Sequence, residues 1–104
     1  MESKMAGTDV QIDEKIKVKV SEPKMWKVIF LNDDHTPMDF VISLLMDIFK
    51  HEYQSAYTVM LQVHEQGSGV AGVYTHEIAE AKSVEATTLS RTNGYPLQIR
   101  MEEE

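Results

Sequence analysis

The sequence predicts an α+β fold, in which three helices pack on one face of a small three-stranded antiparallel sheet to form a two-layer α/β sandwich. Two observations predict this class. Three short runs of β-forming residues and three helical runs follow one another in the order β-α-α-β-α-β. The chain of 104 residues, of which 42% are hydrophobic, is also long enough for one compact domain with a modest core.

The first strand and the first helix have the clearest signals. Trp26 to Leu31 is a short apolar run that ends at turn residues, which is typical of a buried strand. Met38 to Phe49 is apolar almost all round and predicts a helix that is largely buried or that keeps an apolar face for a partner. Thr36 is the expected N-cap, with Pro37 at the first helical position and Asp39 completing a capping box.

Turn and capping residues delimit the later elements. Residues 66–69 contain two glycines and end the second helix. Thr75 is the expected cap of the third helix, which ends at Asn93-Gly94 with Gly94 in the left-handed conformation. The predicted ranges are a helix over 53–65, a strand over 70–74, a helix after Thr75, a strand over 97–101 and a charged end over 102–104.

Residues 1–24 differ from the rest of the chain, because they are polar and mixed in charge. We expect them to form a flexible N-terminal extension that precedes a core domain over residues 25–104, since termini that are not docked on a core are usually mobile. Lys15 to Val20 alternates with period two, so an exposed edge strand is the alternative for this segment.

Composition excludes several classes of function. Seventeen acidic residues against ten basic ones give a net charge of −7, which opposes binding to nucleic acid or to an anionic membrane. The absence of cysteine excludes disulfides and thiolate chemistry and is typical of a reducing compartment. No run is apolar for long enough to cross a bilayer. We therefore expect a cytoplasmic protein, with a monomer as the default state.

The sequence carries no recognisable catalytic motif. It lacks a glycine-rich phosphate loop, a GxSxG elbow and an HExxH pair. A metal site is the strongest enzymatic hypothesis, because Asp33, Asp34, His35 and His64 are of ligating types, although their spacing matches no known metal loop. Among enzymatic functions, the alternative is therefore a small metal-dependent hydrolase that uses Asp33, Asp34 and His64.

The turn Asn32-Asp33-Asp34 is more acidic than a turn requires. One carboxylate is enough to stabilise a turn and to complement the dipole of the helix that follows. A bound cation would use such surplus acceptors. Taken alone, however, the turn is equally consistent with capping of the helix and with a ligand site. Further along the chain, Met60, Val63 and His64 share a helix face, which taken alone favours core packing with His64 as a buried histidine.

If that face meets the first helix, His64 joins the acidic turn above an apolar floor. Met38, Val41, Met60, Val63 and Leu97 would supply the floor. Methionine adapts to irregular apolar ligands, so this arrangement suits an ammonium beside a large apolar side chain. The N-terminus of a polypeptide is such a group.

Four segments carry a resemblance to a known family. They are Asn32-Asp33-Asp34-x-Thr36-Pro37-Met38, Met60-Leu61-x-Val63-His64, Gly72-Val73-Tyr74-Thr75-x-Glu77-x-Ala79-Glu80-x-Lys82 and Pro96-Leu97. In this order and at this spacing they make the chain resemble the ClpS adaptors of bacteria over about Met25 to Glu102. His35, Asp39, Ala71 and Tyr95 depart from the residues that are common in the family.

The resemblance implies an adaptor that is not an enzyme and has no cofactor. Such an adaptor binds the N-terminal Leu, Phe, Tyr or Trp of N-degron substrates and delivers them to the N-terminal domain of the ClpA unfoldase of the ClpAP protease. The N-terminal extension takes part in this transfer. A ClpA-docking modulator that binds no degron is the milder alternative.

The resemblance also implies roles for individual residues. Asn32, Asp33 and His64 would bind the substrate α-amino group, and Asp34, Thr36 and Pro37 would support the turn. Met38, Val41, Met60, Val63 and Leu97 would form the hydrophobic pocket, with Met38 at its mouth rejecting β-branched side chains. Glu77 and Lys82 would dock on ClpA.

Overall fold

A computed structural model describes residues 23–104 of the chain. The elements follow the predicted order β-α-α-β-α-β and the strands form one antiparallel sheet, so the predicted fold class is confirmed. The suggested edge strand at 15–20 lies outside the described residues. The elements are strand β1 (Met25–Leu31), helix α1 (Met38–Asp47), helix α2 (Tyr53–Gln66), strand β2 (Ser68–Thr75), helix α3 (His76–Thr92) and strand β3 (Gln98–Glu103).

Strand β1 lies at the centre of the sheet and pairs in antiparallel fashion with β2 on one side and β3 on the other. Phe30 is opposite Gly69 of β2 and Ile99 of β3. The register of the β1–β2 pair shifts between Val28 and Ile29, which marks a bulge. The register places the end of β1 beside the start of β2, and therefore beside the end of α2.

The core lies between one face of the sheet and the three helices. Val28 and Phe30 of β1 are fully buried, and the Phe49 ring packs edge-on against Phe30 with 5.4 Å between centroids. No helix within residues 23–104 is long and apolar enough to span a membrane. The other core residues are Val41, Leu44, Leu45, Ile48, Ala56, Val59, Met60, Val63, Ala71, Ala79, Ala86 and Leu97.

Three of the predicted element boundaries are wrong by two residues, and the first is the start of β2, which begins at Ser68 rather than at Val70. Helix α1 ends at Asp47 rather than at Phe49, because the chain turns there and Lys50 adopts a left-handed φ of 62°. Strand β3 continues to Glu103, where a charged end was expected. The central strand offers backbone partners along this stretch, and the Lys24 ammonium lies 3.2 Å from a Glu103 carboxylate oxygen.

The predicted capping of α1 by Thr36 is also wrong. Pro37 occupies the N-cap position with φ −66° and ψ 145°, and the Thr36 hydroxyl donates to Asp33 instead. Thr75 does occupy the N-cap of α3, although its hydroxyl makes no capping bond within the described part of the chain. Gly94, just beyond the end of α3, has φ 81°, which confirms the predicted left-handed conformation.

Gly69 sets the distance between β2 and α2. A Cβ at this position would lie 2.9 Å from Val63 Cγ2 and 3.2 Å from the Val59 carbonyl oxygen. We expect Gly69→Ala to lower the free energy of unfolding by about 1–3 kcal/mol, because a backbone oxygen has little freedom to move away. Urea denaturation measures the change.

Gly72→Ala is the companion variant in the same strand. Its added Cβ would overlap the Tyr74 hydroxyl and lie 2.6 Å from two ring carbons, so the ring would have to leave its place against Phe49 and Lys82. We expect this variant to lose stability as well, but through the Tyr74 side chain rather than through the contact between α2 and β2. Wild-type stability in Gly69→Ala would show that α2 and β2 are not in close contact at this point.

Candidate functional site

One cavity brings together almost every site residue that the sequence predicts. It has a volume of about 340 Å³, at the lower end of the range for small-ligand sites. It lies where the turn after β1, the start of α1 and the last turns of α2 meet. The lining residues are Asn32, Asp33, Asp34, Thr36, Pro37, Met38, Val41, Met60, Val63 and His64.

Backbone hydrogen bonds explain why α2 ends beside the acidic turn. The Asn32 amide donates to the Gly67 carbonyl oxygen over 2.9 Å, which continues the β1–β2 pairing past Leu31 and Ser68. Gly67 ends α2 in a left-handed conformation with φ 92°, and its own amide donates to Val63. His64 precedes Gly67 by three residues and is thereby carried to the turn.

The Asp33 carboxylate organises the turn between β1 and α1. Its Oδ1 accepts from the His35 amide over 2.8 Å and from the Thr36 amide over 2.7 Å. Its Oδ2 accepts from the Thr36 hydroxyl over 2.8 Å. Burial by itself raises the pKa of Asp33, but these three bonds together outweigh it and hold the pKa below its ordinary value of 3.8.

The rim of the cavity presents acceptors to a ligand. Each carboxylate oxygen has about two lone-pair sites, so Oδ2 of Asp33 has one left after binding Thr36. The side chains of Asn32, Asp34 and His64 are exposed at the rim. Within residues 23–104 the Asp34 carboxylate has no hydrogen-bond or ion-pair partner, so turn support falls to Asp33 and Thr36.

The floor of the cavity is apolar. Val41, Met60 and Val63 are 5%, 4% and 4% exposed, so they form a fixed surface that belongs to the core. Met38 is 43% exposed and stands at the mouth. The cavity therefore combines a polar, negatively charged rim with a hydrophobic interior.

Leu97 is the one predicted pocket residue that the structure does not place at the cavity surface. It is buried in the core with 1% exposure and is absent from the lining. The Arg91 guanidinium of α3 donates to the carbonyl oxygens of Leu97 and Tyr95, over 2.8 and 3.0 Å. These bonds hold the segment before β3 against α3.

The residues suggested for a metal site do not form one. No group of three His, Asp or Glu side chains with a geometry for a metal ion occurs in the part of the chain that the structure describes. Asp33 is directed to its own turn, as three hydrogen bonds show. Asp34 and His64 line the cavity without completing such a group.

The predicted docking residues lie on α3, apart from the cavity. Glu77 is exposed in the first turn of the helix. Lys82 is partly buried, and its ammonium donates to the Ile48 carbonyl oxygen over 2.7 Å. The same ammonium lies 5.9 Å from the Phe49 ring centroid and 5.4 Å from that of Tyr74, so Lys82 also fastens the end of α1 to α3.

Sequence reasoning missed two contributions to the site. Gly67 and Gly69 were interpreted only as turn residues, whereas Gly67 accepts the bond from Asn32 and Gly69 lets β2 approach Val63. A glycine inside a strand often marks a close backbone approach, which is the signal that was available for Gly69.

The Asp33 carboxylate makes the free energy of unfolding depend on pH. Its pKa in the folded chain is lower than in the unfolded chain, so its contribution is fully present above the unfolded pKa and is lost as the pH falls through the folded pKa. We expect the free energy of unfolding to decline below about pH 4 and to decline less in Asp33→Asn. Urea titrations of both chains at about pH 3 and pH 6 test this, and parallel declines would contradict it.

Comparisons with known proteins show what the chain is similar to. The family model "ATP-dependent Clp protease adaptor protein ClpS" matches residues 21–100. The ClpS adapter of Campylobacter jejuni (strain 81-176) is 49% identical over 88 residues, which are 85% of this chain and 92% of the relative. That of Burkholderia mallei (strain SAVP1) is 44% identical over 95 residues, 91% of each chain.

A solved structure is similar to the chain as well. Agrobacterium tumefaciens ClpS2, bound to L-phenylalaninamide, has a TM-score of 0.77 and 41% identity, and the match covers 80% of this chain and all of that one. The relatives are named as adapters, a class of protein that is not enzymatic. The chain belongs to the ClpS family of adaptor proteins of the ATP-dependent Clp protease.

Proposed function

We propose that this adaptor binds the N-terminal Leu, Phe, Tyr or Trp of N-degron substrates and delivers them to the ClpA unfoldase of the ClpAP protease. The observation that supports this most strongly is the presence of an acceptor-rich rim and a buried apolar floor in one cavity. The first residue of such a substrate has the complementary pair of groups, an ammonium beside a large apolar side chain. The net charge of −7 also favours the approach of a cation.

The ammonium would be bound at the rim. It has three protons to donate, and Asn32, Asp33 and His64 supply an amide oxygen, a carboxylate oxygen and an imidazole nitrogen. Asp33 is ionised at neutral pH, and its turn lowers its pKa further below the ordinary value. Each charge-assisted bond contributes about 1.5–3 kcal/mol, so the rim accounts for a large part of the affinity.

The side chain would enter the apolar interior. L-phenylalaninamide, the ligand of the A. tumefaciens relative, has a free amine, a benzyl group and an amidated carboxyl, as the first residue of a peptide does. Burying such a side chain against Val41, Met60 and Val63 contributes about 1.5–3 kcal/mol. The combined affinity is then moderate, which suits a protein that transfers its ligand.

Met38 would act as the gate of the cavity. It is the exposed apolar residue at the mouth, and a branch at Cβ of the first substrate residue would collide with it before the side chain could enter. We expect Met38→Ala to bind a Val-started peptide about ten-fold more tightly than the wild type does. Fluorescence anisotropy measures both affinities, with a Phe-started peptide as the control for a general effect. Unchanged rejection of valine would show that Met38 is not the gate.

Delivery would use the surface of α3 that carries Glu77 and Lys82. Glu77 is exposed and free to meet a partner, whereas Lys82 also has an internal role, so Glu77 offers the cleaner test. A Clp protease partner and the absence of cysteine both support our expectation of a cytoplasmic location.

Reconstituted degradation tests the proposed function as a whole. Purified ClpA and ClpP should degrade a Phe-started fluorescent reporter several-fold faster with this chain than without it, and a Val-started reporter should not respond. Glu77→Ala should abolish the acceleration and leave peptide binding intact. Glu85→Ala, at a residue that is exposed on the same helix, should change neither the acceleration nor peptide binding. Altered degradation of other ClpA substrates without any effect on the Phe-started reporter would instead indicate a docking modulator.

A further inference from the structure

An apolar stripe on α1 begins at the mouth of the cavity. Met38, Ile42 and Met46 repeat every four residues and therefore share one face of the helix. Met38 and Met46 are 43% and 37% exposed, so the stripe reaches the surface at both of its ends. Because Met38 lines the cavity together with Met60 and His64, this face of α1 is turned toward α2.

A second stripe runs along α2. Tyr53, Tyr57, Met60 and His64 are separated by four, three and four residues, so they lie on one face. Met60 and His64 line the cavity, and the two tyrosines continue the same face away from it. The tyrosine rings stack with 6.1 Å between centroids and 26° between planes, and Tyr53 and Tyr57 are 57% and 42% exposed.

The two stripes flank one junction between antiparallel helices. The start of α1 and the end of α2 meet at the cavity, and the loop over residues 48–52 joins their other ends. We call this surface the seam, formed by Met38, Ile42, Met46, Tyr53 and Tyr57. From Met38 to Met46 it extends about 12 Å, which an extended polypeptide covers in about four residues.

We propose that the seam binds the substrate residues that follow the N-terminal one, positions 2 to about 5, and that it favours apolar and aromatic side chains there. This inference rests on the proposed function. A substrate whose first residue fills the cavity continues as a polypeptide from the mouth, and Met38 belongs to both the mouth and the seam. On the other side of the mouth lies the exposed polar turn of Asn32 and Asp34.

The residue types of the seam suit a surface that meets many sequences. Tyrosine provides a large contact area at a low cost in side-chain entropy, and methionine adapts its shape to different neighbours. The stacked pair is held by its own helix, so it is arranged before a ligand arrives. The chemical class that it would take is an extended apolar segment.

Two labelled peptides test the inference. Both begin with Phe and share a soluble tail, but one carries Leu-Tyr-Leu-Tyr at positions 2–5 and the other Gly-Ser-Gly-Ser. The wild type should bind the first about five-fold to ten-fold more tightly. The double variant Tyr53→Gln/Tyr57→Gln should lose this preference and keep its affinity for the Gly-Ser peptide. Both tyrosines are exposed and glutamine suits a helix, so the fold should persist.

Leu89→Gln is the matched control, because Leu89 is a 40% exposed apolar residue on α3 away from the seam. It should retain the preference. Equal, tight binding of both peptides by the wild type would overturn the inference and leave the proposed function intact, whereas failure of both peptides to bind would overturn both. Sedimentation gives a further check, since a wild-type dimer that the double variant abolishes would assign the seam to a second copy of the chain.

Discussion

A Phe-started peptide is expected to bind the Asp33→Asn variant about ten-fold to one-hundred-fold more weakly than it binds the wild type. Asparagine keeps an oxygen that can accept from the amides of His35 and Thr36, and its amide nitrogen can donate to the Thr36 hydroxyl. The turn is therefore preserved while the negative charge is lost. The substitution thus separates the two roles of Asp33, which Asp33→Ala would remove together.

Asp34→Asn is the matched control for this prediction. It removes the same charge from the adjacent residue of the same turn, at a carboxylate that is exposed and supports no hydrogen bond within residues 23–104. We expect the affinity for the peptide to fall by less than about three-fold, because the overall electrostatic field of the chain changes only slightly. If the two variants lose affinity equally, the cavity attracts the amine through its general charge and Asp33 has no direct contact with it.

The second large effect is expected from His64→Ala. The imidazole is exposed at the rim and is not part of the core, so its removal should leave the thermal midpoint almost unchanged while binding of a Phe-started peptide weakens about ten-fold or more. Alanine also has a higher helix propensity than histidine, which favours the fold of α2. Anisotropy and thermal unfolding of the same preparation measure both quantities.

His35→Ala provides the control for this second prediction. His35 is an exposed histidine of the same turn, but it does not line the cavity. Its removal should leave the affinity close to that of the wild type. Unchanged affinity in His64→Ala, or an equal loss of affinity in His35→Ala, would contradict the assignment.

The order of the elements and the members of the cavity could be predicted from the sequence because both depend on periodic patterns. Met60, Val63 and His64 share a helix face by spacing alone, and the structure places all three in one cavity with Met38. The periodic pattern alone does not determine which helix faces meet. Their meeting depends on the Asn32–Gly67 hydrogen bond, which joins residues far apart in sequence.

The capping of α1 and the position of Leu97 could not be predicted in the same way. The Thr36 pattern fits an N-cap, but the Asp33 carboxylate competes for the same hydroxyl and amide and forms three bonds with the turn. Leu97 lies in an irregular segment before β3, where its carbonyl oxygen binds the Arg91 guanidinium and its side chain is buried in the core. Both outcomes depend on contacts between residues several positions apart, which local propensity does not include.

Anisotropy titration of the wild type with three labelled peptides tests the central claim most directly. The peptides are one that begins with Phe, the same peptide with an acetylated amine, and one that begins with Val. Binding of the free-amine Phe peptide alone is the predicted result, since the rim requires the ammonium and the mouth excludes the branched side chain. Equal binding of all three would contradict the account, because it would show a generic apolar surface in place of an N-terminal residue site.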